Sequence, residues 1–358
     1  MLILTITINI LFACRPRSFS LKTGISSTIH HIEVGMVLLE KNKLKKAEKE
    51  FLLALESNPK LVKAYIGLAL IAAKQGKEKK AWEKLEKAET FVKNNEEKAE
   101  VLIGKIRLIY LLFTKKSLSI AEEAFKQIMQ LKPAHPIATY YMACLYEKAF
   151  LFDKAKILFE RVLKTENPFV LQAYNEIEKI KKIEKAQPKS NIGREIGLKD
   201  TLTKADIAAL LVHELHLPQI LEVTSKSQII VRDIGKERFA KEIEAIVPLK
   251  IKELSATIDG YFSPQQKITR ASFCEILQDI LIRLTGNKYL SFRFKKVRSP
   301  YKDLNPKASY YNACILALVK GFITPYDRPN RLFAPMKPLS GADALIALKR
   351  LCEELKII

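Results

Sequence analysis

The sequence predicts an all-α chain in two parts, a solenoid of helical hairpins followed by a mainly helical module built on a different repeat. Three observations predict it. From His31 to Ala186, apolar residues recur at helical spacing in paired stretches separated by short polar breaks, the pattern of amphipathic helices packed back to back. Small residues return at a fixed interval within these pairs, 34 residues from Ala47 to Ala81 and again from Ala121 to Ala155. Beyond Asn191 a longer self-similarity sets in, with GYFSPQQKITRASFCEIL at 260–277 matching RLFAPMKPLSGADALIAL at 331–348. At 358 residues the chain is long enough for two cores that need neither metal nor disulfide.

Residues 1–13, MLILTITINILFA, hold ten apolar side chains and no charge, and the run ends at Cys14 followed by Arg15, Pro16 and Arg17. A bilayer span takes ~20 apolar residues, so this run is too short to cross and suits the apolar core of an export signal. Leu11, Phe12, Ala13 and Cys14 resemble the lipobox of bacterial lipoproteins, which implies a signal peptide over 1–13, a lipidated Cys14 and a linker over 14–27. Two departures are the bulky Phe12 and the lack of a basic residue ahead of the apolar run, which a start upstream of Met1 would supply.

The array is expected over 28–186. Four residues after each aligned alanine stands Phe51, Leu85, Phe125 or Phe159, and three further on Ala54, Ala88, Ile128 or Val162. Gly35 and Ala143 hold a small position in the first helix of their pairs, and Pro59 and Pro133 close second helices. With its 34-residue period this array resembles the tetratricopeptide family. Six extra residues lengthen the junction before the third repeat, and the second lacks its closing proline. Phe169 to Ala186 reads as a capping helix with Lys179, Lys181, Lys182 and Lys185 on its wet side. The resemblance implies a concave groove that takes a peptide or helix of another protein, with Tyr65, Tyr140 and Tyr141 as groove candidates or as packing between repeats.

A linker is expected at 187–197 and the second module at 198–358, with one partial and two full repeats. Thr269 and Ser340 precede apolar helical runs and are placed to cap free amides. LTKADIAALL at 202–211 is the partial copy, with Lys204 in the column of Arg270 and Gly341. The two full copies open alike, on Val231 to Ile234 and Tyr301 to Leu304. Asp233, Gly260, Phe262, Pro264, Thr269, Arg270 and Ala271 resemble the S-layer homology module. That resemblance implies three copies about a pseudo-threefold axis, with grooves for peptidoglycan or another anionic wall polysaccharide contacted by Arg270, Thr269, Lys204, Asp233 and Asp303. Arg270 reads equally as a structural residue, and Asp233 and Asp303 as helix caps. Phe239 stands where a tryptophan is usual, and the first copy has lost its leading half.

Lys and Arg total 61 against 39 Asp and Glu, a net charge of +22, with excesses of +3, +9 and +10 over residues 1–30, 31–186 and 187–358. So even a spread argues against a dedicated nucleic-acid face. The densest cluster is Arg293, Lys295, Lys296 and Arg298 with Phe292 and Phe294, a solvated surface or an anion site. Cys144, Cys274, Cys314 and Cys352 sit singly in apolar helical runs, as buried free thiols do. His213 and His216 are three apart, whereas a zinc helix needs histidines four apart, and no nucleotide or nucleophile motif is present. The sequence therefore calls for no catalytic residue, metal or cofactor. It predicts a cell-envelope lipoprotein, periplasmic or at the outer membrane. The alternative is a cytoplasmic protein that binds nucleic acid or acidic proteins through its basic surface.

Overall fold

The computed structural model describes residues 24–221 and 230–357, so Cys14 and the apolar run before it lie outside the described residues. Among these residues the fold is all-α: sixteen α-helices, with β-structure limited to isolated bridges. They are α1 (Gly24–Glu40), α2 (Leu44–Ser57), α3 (Val62–Lys74), α4 (Glu78–Thr90), α5 (Asn95–Leu111), α6 (Leu118–Leu131), α7 (Pro136–Lys148), α8 (Phe152–Leu163) and α9 (Val170–Ala186). There follow α10 (Asn191–Gly197), α11 (Lys204–His213), α12 (Leu217–Ile220), α13 (Ala240–Ile246), α14 (Arg270–Thr285), α15 (Tyr311–Val319) and α16 (Gly341–Leu355). Among the described residues, no helix is long and apolar enough to cross a membrane. The chain falls into two compact units that divide between Met142 and Ala143, inside α7.

In the first unit α1 packs on α2, α3 on α4 and α5 on α6, while α1, α3 and α5 touch in succession. Consecutive hairpins thus present their first helices to one another. Ala47, Ala81 and Ala121 are completely buried, as are Ala54, Ala88 and Ile128 in the later column. The reason for small residues in the first helices is explicit at Phe51, whose buried ring lies between α1 and α3. A Cβ on Gly35 would sit 2.7 Å from that ring, and one on Gly67 2.3 Å from its other face. Gly104 of α5 gives Ile66 the same clearance, at 2.8 Å. Gly67 and Gly104 are thus small where the preceding hairpin packs, whereas the residue 12 before Ala81, as Gly35 is before Ala47, is the buried Ala69.

The turns repeat as well. Asn42, Gly76 and Phe150 adopt left-handed φ of 56°, 72° and 61°. In each, the next amide reaches back five residues, Lys43 to Leu38 O at 2.9 Å, Lys77 to Ala72 O at 2.9 Å and Leu151 to Tyr146 O at 2.8 Å. This closes the orphan carbonyls of the helix before it. The third hairpin departs: α5 runs to 17 residues and a 3-10 turn at Lys115–Ser117 precedes α6. The extra residues thus lie within the third hairpin, in the longer α5 and the longer connection after it, not ahead of it, since the preceding junction keeps its ordinary length.

In the second unit α9 packs on α8 and also on α16, just as α13 packs on α11 and α15 on α14. The parallel is informative. α13 and α15 are the leading helices of the two full repeats, so α9 supplies the leading half that the partial repeat lacks. Ile183 and Ala186 of α9 belong to the same core as Leu202, Phe262, Phe333 and Leu345. Of the lysines expected on its wet side, Lys181, Lys182 and Lys185 are exposed, Lys182 while pairing with Asp343 at 2.7 Å, whereas Lys179 is half-buried and pairs with Asp200 at 2.9 Å. Residues 187–197, expected as linker, include α10, whose start is capped by Ser190.

Candidate functional site

The second unit is organised around three equivalent segments, each the last residues before a helix: Leu202-Thr203, Ile268-Thr269 and Leu339-Ser340. The hydroxyls of Thr203, Thr269 and Ser340 accept from the third residue of α11, α14 and α16 respectively. Their apolar neighbours close a ring of backbone bonds. Ile268 N donates to Leu202 O at 2.9 Å, Leu339 N to Ile268 O at 3.0 Å, and Leu202 N to Leu339 O at 3.0 Å. Three segments that each give and take one bond define a pseudo-threefold axis.

Each joint continues outward in the same way. Lys204 N and Ala205 N donate to Gln266 O and Pro264 O of the next repeat, and Arg270 N and Ala271 N to Lys337 O and Pro335 O of the one after. These acceptors belong to the Phe-Xaa-Pro turns, which an aspartate holds from within. Asp233 accepts from Phe262 N at 2.9 Å and Ser263 N at 2.7 Å; Asp303 accepts from Phe333 N at 2.8 Å and Ala334 N at 2.7 Å. Ser263 and Ala334 take left-handed φ of 60° and 58°, which turns both amides toward one carboxylate. Asp233 and Asp303 therefore tie turns rather than cap helices.

The cationic column also points inward. Arg270 is 5% exposed; its Nε donates to Phe333 O at 2.9 Å, an Nη to Thr324 O at 2.6 Å, and the guanidinium lies 4.8 Å from the Phe333 ring. Lys204, 8% exposed, sets its ammonium 4.4 Å from the Phe262 ring. Burial pulls the Lys204 pKa down, against the opposing charges of Glu253 and Asp233. At the third joint a Cβ on Gly341 would fall 1.8 Å from Ile196 O, so this position admits no side chain. Arg270 and Lys204 thus brace the turn of the next repeat, and Thr269 is occupied as a cap. A polymer at the surface meets none of the three as a free group.

A different set of cations is open. A cleft of about 890 Å³ lies between Tyr301, the loop after α15 and the last turns of α16, lined among others by Arg328, Arg331 and Arg350. Arg331 Nε donates to Pro300 O at 2.8 Å, and Arg350 donates to Gly321 O. These bonds fix two guanidiniums and leave donors for the cleft. Among the described residues the arginine ion pairs belong to Arg107, Arg238 and Arg283, so none of the three cleft arginines has a carboxylate partner. Lys320 and Glu354 at the rim neutralise each other at 2.5 Å, and Glu353 is the remaining acid. Planar forks held in place without a counter-ion suit a carboxylate or phosphate. The sequence hid this set because Arg328 and Arg331 stand in a turn and Arg350 on a distant helix. No local signal marked it, since Glu353 and Glu354 stand three and four residues after Arg350, where a helix would pair them with it.

The tyrosines of the array separate. Tyr65 is buried, with its hydroxyl on Pro59 O at 3.0 Å and its ring 5.5 Å from Phe91, so it packs within the hairpins rather than lining a groove. Tyr140 and Tyr141 are half-buried, and Tyr141 meets Tyr110 of α5 edge-on at 5.5 Å with the Arg107 guanidinium 5.1 Å away. This aromatic step lies on first helices, where the groove was expected. The histidines of the His-Glu-Leu-His string have other work: His213 bonds Glu242 at 2.8 Å, and Glu214 accepts from Lys189 N, Ser190 N and the Ser190 hydroxyl. Cys144, Cys274 and Cys314 are buried and Cys352 is partly exposed, and none of the four is in a disulfide among the described residues.

No protein-family model matches the chain, and no curated protein matches its sequence.

Proposed function

We propose that the protein is a non-enzymatic envelope scaffold of the tetratricopeptide kind, acylated at Cys14, whose second module is an S-layer-homology-like ring that rests on an anionic wall polymer. The observation that carries this reading is the cleft of Arg328, Arg331 and Arg350, three guanidiniums without carboxylate partners on the surface of a closed ring. The uncharged apolar run ending at Cys14 supports export and lipid attachment. Tyr110, Tyr140 and Tyr141 are the contacts offered to a peptide or helix in the array's groove. The cell-wall contact moves from Arg270 to the open arginines, because Arg270 is committed to Phe333 O and Thr324 O.

The test has two arms. Metabolic labelling with a fatty-acid analogue should mark the native protein and not its Cys14→Ser variant, with the label in membranes. Sedimentation with purified wall should fall at least tenfold in the Arg328→Ala, Arg331→Ala, Arg350→Ala triple variant, the loss of ~1.4 kcal/mol or more. A soluble, unlabelled chain would remove the lipoprotein reading, and equal sedimentation of the triple variant would remove the polymer cleft.

A further inference from the structure

We infer that the loop between α14 and the start of the third repeat is a docking surface for an anionic lipid membrane. From Ile280 to Lys302 the chain carries seven basic residues and no acidic one. Within it Tyr289, Phe292 and Val297 are 53%, 50% and 45% exposed, and Tyr289 and Phe292 stand edge to face at 5.0 Å. Lys288, Arg293, Lys295, Lys296 and Arg298 surround them, and all five are exposed and outside the ion pairs of the described residues. Apolar knobs of this size ringed by cations are unfavourable in water and are what the interface of an anionic bilayer accepts.

The exposure is built, not accidental. Asn312, 3% exposed, takes Phe294 N on its Oδ1 at 2.8 Å and gives its Nδ2 to Leu290 O at 2.7 Å. Gln278 donates to the same Leu290 O at 2.8 Å, and the buried Tyr311 hydroxyl donates to Val297 O at 2.5 Å. Leu290 anchors the loop in the core. Four side-chain bonds from α14 and α15 thus pin the backbone, while Tyr289, Phe292 and Val297 stay exposed. Val297 distinguishes this surface from a base-stacking platform, which needs a π-face at each contact. None of Tyr289, Phe292, Arg293, Lys295 and Lys296 lines the arginine cleft, and the inference does not depend on polymer binding there.

The experiment uses the full chain as Cys14→Ser, so that no acyl group contributes, in flotation with phosphatidylcholine vesicles with and without phosphatidylglycerol. The parent should bind the anionic vesicles and lose that binding as salt rises. Lys295→Gln with Lys296→Gln should weaken it about thirtyfold, at ~1 kcal/mol for each cation near the surface, and Tyr289→Ser with Phe292→Ser should weaken it at least tenfold with the charge intact. All four positions are exposed, so thermal melting should be unchanged. Equal flotation of parent and variants would overturn the inference. So would variants that keep the vesicles but lose purified wall or single-stranded DNA.

Discussion

A buried carboxyl at the start of the second unit makes stability depend on pH in a direction opposite to most acids. Glu147, 8% exposed, has its pKa raised from 4.5 to about 9, first by burial and then by the charge of Glu176 beside it, against the pull of Lys179. Glu147 Oε1 has no hydrogen-bond partner among the described residues. Lys179, for its part, is disfavoured as a cation by burial, yet Glu176 and Asp200 hold its pKa above the ordinary value. Glu147 therefore keeps a proton that the unfolded chain releases above pH 4.5. For a group whose folded pKa is raised, stability is full below the unfolded pKa and declines as pH climbs toward the folded one, by ~1.4 kcal/mol per unit. Between 4.5 and 7 the loss is on the order of 3 kcal/mol. Glu147→Gln removes the titration and keeps the shape. Urea unfolding at pH 5, 6, 7 and 8 should give a parent whose stability falls relative to the variant at each step, with the gap at pH 7 near ~3 kcal/mol. Parallel curves for the two proteins would refute a proton held on Glu147.

Three further outcomes follow from the packing. Gly341→Arg, which places at the third joint the residue that the second carries as Arg270, should destabilise the ring by more than ~3 kcal/mol in chemical unfolding, because its Cβ has nowhere to go beside Ile196 O; Lys204→Arg at the equivalent joint should shift stability by under ~1.5 kcal/mol. Asp303→Ala strands the amides of Phe333 and Ala334 and should lower stability by about 1.5–3 kcal/mol, read as a thermal shift. A fragment of 143–358 should melt cooperatively by circular dichroism, whereas 187–358, which lacks Ile183 and Ala186 from its core, should bind a hydrophobic dye and show no sharp transition.

What could be read from residues alone was local. Ala47, Ala81 and Ala121 lie buried where the period placed them, and Thr269 and Ser340 begin helices as hydroxyl caps should. Such features are decided within a few residues. The location of the six extra residues was not, since an interval of 40 between Ala81 and Ala121 does not say which side of the hairpin turn absorbs it. Arg270 could not be oriented either: a guanidinium at a helix start reaches surface or core according to whether a carbonyl waits inside, and Phe333 is 63 residues away. The same distance problem hid α9. Its Ile177, Ile180 and Ile183 make one apolar stripe whichever helix covers it, and the partner, α16, comes at the chain's other end. Only the ring shows that this stripe closes a threefold arrangement.

The sharing of α9 has a mechanical meaning. A pull on α8 reaches the ring along the axis of α9, not through a slack strap. The Lys182 bond to Asp343 and the two bonds of the Lys349 ammonium, to Lys185 O and to the Gln187 side chain, lie along that same seam. They resist sliding together, as rivets do in a lap joint, where a flexible strap would let contacts peel away one at a time. The seam with no Phe-Xaa-Pro turn is in this way the latch through which load enters the ring.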